Sequence, residues 1–577
     1  MGRRAKPALS DLKRRVDVAM GREKADLLLQ GGRLVDVFSG YVRETDIVIS
    51  GGRIVGFGVC PARRTIDIAG RFVSPGFMDS HVHMESSMVT PAQYARATIP
   101  HGTTAVVADP HEIANVMGSK GIEWLVRAAG NNPLHVFVMV PSCVPATSME
   151  TSGASLSTVD MEALIDKPWV LGIGEMMNFP AVTAGAPHVL RKLTVSHGKR
   201  IDGHAPGLSG KTLHAYVASG ITSDHECTTL DEAREKLANG MVIMIREGSS
   251  ARNLADLLPL VTPENARRFL LVSDDRDPHD LSHEGHMDAI LRKAVRLGLN
   301  PITALRMATL NPAEYFGLHD MGAIAPGYRA DLVVLENLEN FRVEWLIHGG
   351  EIIVEQGIVH ESAFHWKPPR LPNSLHVRAI QPETLRLTAR SHRVRVIELI
   401  PDQIVTPMSV ETIPVDHGCA LPDLKRDLLK IAVVERHHGS GRIGKGFIRG
   451  FGLREGAVGS SVSHDAHNII VVGTNDRDMA LAVNEIVRMK GGLVVTSQGR
   501  VRGALPLPLA GLLSDRPVED VDQTLGTLQQ EVRTMGSPLA SPLMALSFLA
   551  LPVIPHLKIT DRGLVDVDAF QIVDLFV

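Results

Sequence analysis

Two histidines separated by one residue, His81 and His83, close an apolar run. Side chains of an extended chain repeat every second residue, so both rings face the same way, and two imidazoles aimed together are half of a metal site. Seven further apolar runs end in a polar group suited to metal or substrate chemistry. These are Asp109 with His111, Ser142, Glu175, His204, His225, Arg246 with Glu247, and Asp274 with Asp275. Any one of them reads equally well as a core residue with a hydrogen-bond partner. The set His81, His83, Glu175, His204, His225 and Asp274 is harder to explain that way, because an unpaired charge at a buried strand end costs several kcal/mol. Four imidazoles and two carboxylates can hold one or two divalent ions, with a carboxylate bridging. Such ions lower the pKa of water toward about 7, and a nearby carboxylate can take its proton and pass it to a leaving group. These parts imply hydrolysis but leave the substrate open.

Ligands so far apart in sequence meet only if strand ends are gathered at one rim, as a parallel barrel does at its C-terminal face. The spacing predicts strands over 72–82, 104–108, 135–140, 170–174, 200–203, 221–224, 241–245 and 269–273, with helices such as 229–238 and 287–297 between them. The runs are continuously Val/Ile-rich, as parallel strands buried on both faces are. On either side lie turn-punctuated apolar runs: 27–29, 34–37 and 47–49 upstream, 330–335 and 347–353 downstream. The expected architecture is α/β: a (β/α)8 TIM-like barrel over 73–324, and a small β-sandwich built from both flanks (25–72 and 325–365). After a proline-rich linker around Pro368, Pro369 and Pro372 comes a C-terminal mixed α/β domain over 370–577, with a strand at 469–472 and a helix at 478–489. Residues 1–24 form a basic arm, read as an amphipathic surface helix or loose segment.

Composition narrows the function classes. A chain of 577 residues needs more than one core. Sixty basic against 64 acidic residues, net −4, give no electrostatic case for nucleic acid or an acidic membrane. Four cysteines, Cys60, Cys143, Cys227 and Cys419, make neither a disulfide framework nor a thiolate zinc site, which suits a cytoplasmic protein. No stretch has the length of a membrane span or a secretory signal.

Several motifs are set aside. Gly439-Ser440-Gly441-Arg442-Ile443-Gly444-Lys445-Gly446 lacks the Ser/Thr of a phosphate-binding loop, and the glycines after it suit no helix; it reads as a flexible loop. Arg63-Arg64 reads as a solvated turn. His464-Asp465-Ala466-His467 could bind metal, reach toward the barrel, or hydrogen-bond within its own domain, and spacing does not separate these. The zinc nucleobase-deaminase signature is absent.

Pro75-Gly76-Phe77-Met78-Asp79-Ser80-His81-Val82-His83 resembles the opening metal motif of the amidohydrolase superfamily. Met84-Glu85-Ser86-Ser87-Met88, Ala108-Asp109-Pro110-His111-Glu112, Pro141-Ser142-Cys143-Val144-Pro145, Gly203-His204-Ala205-Pro206-Gly207, Ser223-Asp224-His225-Glu226 and Ser273-Asp274-Asp275-Arg276 narrow this to the bacterial adenine deaminase family. Ser463-His464-Asp465-Ala466-His467-Asn468 and Val472-Gly473-Thr474-Asn475-Asp476 extend it to the C-terminal region. The resemblance implies hydrolysis of free adenine to hypoxanthine and ammonia in purine salvage, with two divalent metals, manganese or iron(II) before zinc. His81, His83 and Asp274 would bind one ion, His204 and His225 the other, and Glu175 would bridge where many relatives use a carboxylated lysine. Asp274 would be the base, with Asp275 one position away and, in a regular strand, pointing to the other side. Glu226, Glu247 and Glu85 are candidates for the acid that protonates ring nitrogen 1, while Asp109, His111 and Arg246 would orient the base. Glu85 and Asp275 also count as substrate-binding candidates.

Two rivals stand beside this reading. A cyclic amide hydrolase of the hydantoinase or dihydroorotase kind shares the metal-bearing barrel, and a non-catalytic scaffold needs no metal ligands at all. The expected assembly is a symmetric homo-oligomer, a dimer.

Overall fold

The computed structural model describes residues 8–249, 251–401 and 403–577. Arg3, Arg4 and Lys6 of the basic arm lie outside the described residues. The rest of the arm carries a helix, Leu9–Ala19, whose Val18 packs with Ala25, Leu28 and Val48 of the small sheet.

Strands β1 (Ala25–Asp36), β2 (Tyr41–Ser50), β3 (Arg53–Phe57), β4 (Ala62–Asp67) and β5 (Phe72–Pro75) open the chain. The segment 72–82 does not run on as one strand. Pro75 removes a ladder donor, and Gly76 passes so close to Thr104 that a Cβ would sit 2.1 Å from its Oγ1. There the chain leaves the small sheet, and Gly76 N–H donates to the Asp331 carbonyl at 2.9 Å. Arg63 and Arg64 lie in β4 instead of a turn, and both are exposed.

Eight parallel strands follow: β6 (Phe77–Val82), β7 (Thr103–Ala108), β8 (His135–Val140), β9 (Val170–Met176), β10 (Arg200–Gly203), β11 (Ser223–Asp224), β12 (Val242–Arg246) and β13 (Phe269–Val272). The first five form one sheet in sequence order and the last three another. The sheets meet where His83 N–H donates to the Asp274 carbonyl at 2.9 Å and Asp274 N–H to that of His81 at 3.0 Å. On the other side Thr222 N–H reaches the Ile201 carbonyl at 3.0 Å. Met78, Val107, Met139, Met244 and Val272 share one apolar cluster, while Val106, Ala108, Val136, Ile243 and Leu271 pack in another with helical residues such as Leu125 and Ile290. Burial on both faces is why these strands lack polar alternation.

Strands β14 (Leu332–Leu335), β15 (Val343–His348), β16 (Glu351–Glu355) and β17 (Ile358–Val359) return to the small sheet, where β14 pairs with β5. The flanks make one hydrogen-bonded sheet of nine strands, not the two stacked sheets of a sandwich. The sheet curls until its far edge, β3, meets the approach to β14: Ile54 N–H donates to the Tyr328 carbonyl, and Gly327 N–H to that of Ile54. The turn glycines allow this. Gly52 has φ +70, and a Cβ there would lie 2.7 Å from the Gly349 carbonyl oxygen.

The C-terminal region holds a mixed eight-stranded sheet whose strands include Leu429–Val434, Ile443–Arg449, Ala457–Ser460 and Ile469–Gly473. The helix Asp476–Arg488, capped by Asn475, packs on it through Met479, Val483 and Ile486. The glycine-rich segment expected to be a loop is a strand from Ile443 onward. Its glycines admit neighbouring chain, since a Cβ on Gly444 would strike the Thr560 carbonyl oxygen at 1.9 Å. No helix among the described residues is long and apolar enough to cross a membrane.

Candidate metal centre

His81 and His83 end β6, and their ring centroids are 4.9 Å apart. His83 Nδ1 lies 2.8 Å from the Asp109 carbonyl oxygen. A carbonyl only accepts, so Nδ1 carries the proton and Nε2 is the nitrogen offered to the site. That Nε2 is 3.1 Å from Asp274 Oδ1 and 3.4 Å from Glu175 Oε1, and His81 Nε2 is 3.3 Å from the same Asp274 oxygen. Glu175, near the end of β9, turns its second oxygen elsewhere: Oε2 lies 2.8 Å from His204 Nδ1 and 3.2 Å from His225 Nε2. One carboxylate thus faces two groups of imidazoles with different oxygens. His225 stacks on His81 at 4.2 Å between centroids, which joins the groups.

Burial opposes ionisation of Glu175, but hydrogen bonds to His204 and His225 outweigh it and hold its carboxyl well below the usual range. Burial opposes the Asp274 charge too, but the adjacent His81 and His83 rings and the Arg246 charge hold its carboxyl well below the usual range. Burial also works against a charged His225 ring, yet the Glu175 bond and the surrounding carboxylates raise it to about 9. These groups are arranged to concentrate positive charge between them. The ligand-type atoms of His81, His83 and Glu175 lie within 4.8 Å of one another, as do those of Glu175, His204 and His225, and those of His81, His225 and Asp274. His81 Nε2 is buried without a hydrogen-bond partner. Such a donor set suits a divalent cation.

The supports lie one layer out. Asp79 accepts from His81 N–H at 3.3 Å and from the Ser273 hydroxyl, tying β6 to β13. Asp224 accepts from Ala205 N–H at 2.8 Å and Glu226 N–H at 3.1 Å, so it fixes the residues that follow His204 and His225. Lys236, fully buried, lies 3.0 Å from Asp224 Oδ2 and 2.7 Å from the Ala205 carbonyl oxygen. Tyr216 receives His204 N–H and donates to the Met176 carbonyl. Asp79, Asp224, Lys236 and Tyr216 escaped the sequence reading; only the adjacency of Asp224 to His225 hinted at one of them.

A cavity of about 580 Å³ opens above these groups. Of the expected site residues, His83, His111, Glu175, His204, His225, Glu226, Arg246, Asp274 and Asp275 line it. His111 Nδ1 is 3.4 Å from Glu175 Oε1. Arg246 bridges Glu226 and, at 2.9 Å, Asp274 Oδ2.

Three candidates face elsewhere. Asp109, expected to orient the base, turns its carboxylate to Glu175 N–H at 2.8 Å and against Gly174, where a Cβ would sit 2.1 Å from Oδ2. Glu85 accepts from Ile113 N–H at 3.2 Å, behind the cavity wall. Glu247 is bound by Lys293 and by Leu254 N–H, so it is not a candidate acid in this arrangement. Ser142 Oγ donates to the Glu175 carbonyl at 2.7 Å, a structural role. The alternation argument for Asp274 and Asp275 also fails. Asp274 has φ +58, so the strand has ended and both carboxylates reach the cavity.

Part of the remaining wall comes from the C-terminal domain, with Gln403, Ile404, Val405, His464, Asp465 and Phe548. That domain is held to the barrel by side-chain bonds. Thr151 donates from N–H and Oγ1 to Asp561 at 2.9 and 2.7 Å, and Trp124 donates to the Pro369 carbonyl at 2.7 Å.

The chain resembles known proteins along nearly its whole length. Residues 72–353 match the model of the amidohydrolase family, and residues 403–571 that of the adenine deaminase C-terminal domain. The chain is 51% identical to an adenine deaminase of Desulfatibacillum aliphaticivorans over 97% of its own length and 99% of the relative's. It is 47% identical to one from Dehalococcoides mccartyi over 98% and 99%. A crystal structure described as an adenine deaminase is 18% identical with a TM-score of 0.44, covering 57% of this chain and 99% of that one. The family is therefore settled by the relatives that match from end to end: the chain belongs to the adenine deaminase family, an amidohydrolase domain followed by that family's C-terminal domain.

Proposed function

We propose that the chain hydrolyses free adenine to hypoxanthine and ammonia, a reaction of purine salvage. Its near half-identity to adenine deaminases over the whole length supports this, and so does the cavity above the ligand cluster. We read the two parallel sheets as one (β/α)8 ring whose C-terminal rim carries the site. The observation that bears most on mechanism is the division of Glu175, one oxygen toward His83 and the other toward His204 and His225.

In this reading His81, His83 and Asp274 would hold one divalent ion and His204 and His225 a second, with Glu175 as a ligand the two sets would share, and family resemblance favours manganese or iron(II). Bound divalent ions lower the pKa of water so that it becomes a nucleophile at neutral pH. Asp274, with its backbone bonded through both N–H and C=O to β6, accepts the proton of the water that attacks carbon 6. It then delivers that proton to the exocyclic nitrogen, which leaves as ammonia, while the second water proton, left on the oxygen bound to carbon 6, passes to ring nitrogen 1 and completes hypoxanthine. Arg246 keeps Asp274 ionised and oriented for the first transfer. Burial opposes the Glu226 charge, but Arg246 and the two neighbouring imidazoles lower its pKa. Glu226, held by Arg246, lines the cavity where the base would lie. Asp275, whose acidity is weakened by burial and by the Asp274 charge, lines the same cavity.

The test is direct. Purified protein mixed with adenine is expected to release ammonia with the ultraviolet change to hypoxanthine. Inertness toward adenine, combined with turnover of hydantoin or dihydroorotate, would transfer the site to cyclic amide hydrolysis.

A further inference from the structure

The motif His464-Asp465-Ala466-His467 contributes two side chains to the cavity, and neither belongs to the metal ligands described above. His464 Nδ1 lies 3.1 Å from Glu112 Oε1, a contact between the C-terminal domain and the helix that follows β7. Both residues are buried. Phe548 stacks on the His464 ring at 4.6 Å with planes 16° apart, and His464 N–H donates to the Ser547 carbonyl at 3.0 Å. The ring is thus fixed in plane and in rotation.

Glu112, His464 and His467 bring their ligand-type atoms within 4.8 Å, which on composition alone reads as a third metal site. Protonation argues otherwise. Ser463 N–H donates to His467 Nδ1 at 3.2 Å, so Nδ1 presents a lone pair and the proton of a neutral His467 sits on Nε2. Burial, with the positive groups around it, keeps His467 neutral. Nε2–H of the neutral ring is a donor and not a ligand, and that buried nitrogen has no hydrogen-bond partner. Glu112 Oε1 faces the His464 ring as a buried ion pair at 3.1 Å from Nδ1 and accepts no hydrogen bond of regular geometry. This pairing keeps Nδ1 toward Glu112, while the His464 ring lines the cavity. Asp465 Oδ2, in the cavity wall, is also buried without a hydrogen-bond partner.

We propose that His464, oriented by Glu112, is a substrate-binding residue whose Nε2–H donates a hydrogen bond to one ring nitrogen of the purine. The proposal rests on adenine being the substrate. Although burial opposes the charge, the Glu112 carboxylate raises the His464 pKa, which favours the donor form. A hydrogen bond from a charged donor contributes about 1.5–3 kcal/mol, so its loss lowers kcat/KM by roughly 10- to 150-fold.

The test pairs His464→Gln and Glu112→Gln with three analogues, 1-deaza-, 3-deaza- and 7-deazaadenine, each missing one ring nitrogen. Wild type is expected to lose about 10- to 150-fold in kcat/KM toward one analogue beyond the others. Toward that analogue alone His464→Gln should match wild type, with metal content unchanged in both variants. Glu112→Gln should reproduce the same selective pattern more weakly. If His464→Gln lowers turnover of adenine and all analogues by one common factor, or loses metal, the residue is structural and the proposal is overturned. If the variant fails to fold, wild type alone decides: equal kcat/KM for the three analogues refutes it. A wild type inert toward adenine refutes the functional reading itself, a distinguishable result.

Discussion

Replacing Lys236 with Met tests whether the loops after β10 and β11 are held by a buried ion pair. Lys236 and Asp224 side chains are both 0% exposed, and Nζ lies 3.0 Å from Asp224 Oδ2. Breaking such a pair from one side leaves a carboxylate buried without its counter-charge, at a cost of about 3–5 kcal/mol. For a unit of some 150–250 residues each kcal/mol moves Tm by about 2–4 °C, so the first unfolding transition should fall by roughly 6–20 °C. The damage has a specific address. Asp224 binds the amides of Ala205 and Glu226, next to His204 and His225, so metal held on that side should be lost before metal held by His81 and His83. Adding Asp224→Asn should restore part of the stability, because the stranded charge is gone. Differential scanning calorimetry with metal analysis on the three variants reads all of this. A drop of under about 1 kcal/mol for Lys236→Met, or a double variant as unstable as the summed single losses, would refute the reasoning.

Other predictions follow from the same geometry. Gly174→Ala places a Cβ 2.1 Å from Asp109 Oδ2, so the Glu175 backbone must shift; stability should fall by about 1–3 kcal/mol with loss of bound metal, and a normal metal content would contradict it. Asp274→Asn should lower kcat by about 10²- to 10⁴-fold while retaining most metal, as steady-state kinetics beside metal analysis will report. Burial, with His135 beside it, lowers His348 from 6.5 to about 4. As pH falls from about 6.5 toward 4 the unfolded chain takes up a proton that the folded chain refuses, so about 3 kcal/mol of stability is lost across that window. His348→Gln should flatten this part of the Tm-against-pH curve, and an unchanged slope would assign the loss to other groups.

Much of the scaffold was legible because parallel strands buried on both faces leave continuous Val/Ile runs, and polar residues interrupt those runs only at their ends. His135–Val140 and Arg200–Gly203 have the expected bounds for this reason. The break at Gly76 was passed over, since the apolar residues on both sides of Ser74-Pro75-Gly76 read as one strand, and the packing of Thr104 against Gly76 marks where the chain changes sheets. Asp109 looked like a substrate residue because it stands at a strand end, yet its carboxylate serves the Glu175 amide; a residue's position in a strand does not give its rotamer. The φ of +58 at Asp274 defeated an argument from alternation that needs a regular strand. Pairs such as Lys236–Asp224 and His464–Glu112 join residues 12 and 352 positions apart and carry no local periodicity. The part played by the C-terminal domain was the least readable feature, because its contribution depends on how two folded units dock.

The most direct trial of the whole account is metal content measured alongside ammonia release from adenine, for wild type and Glu175→Ala. The account predicts two divalent ions per chain and sustained turnover in the wild type, with metal and activity falling together in the variant. Full turnover by protein carrying no stoichiometric divalent metal would contradict it.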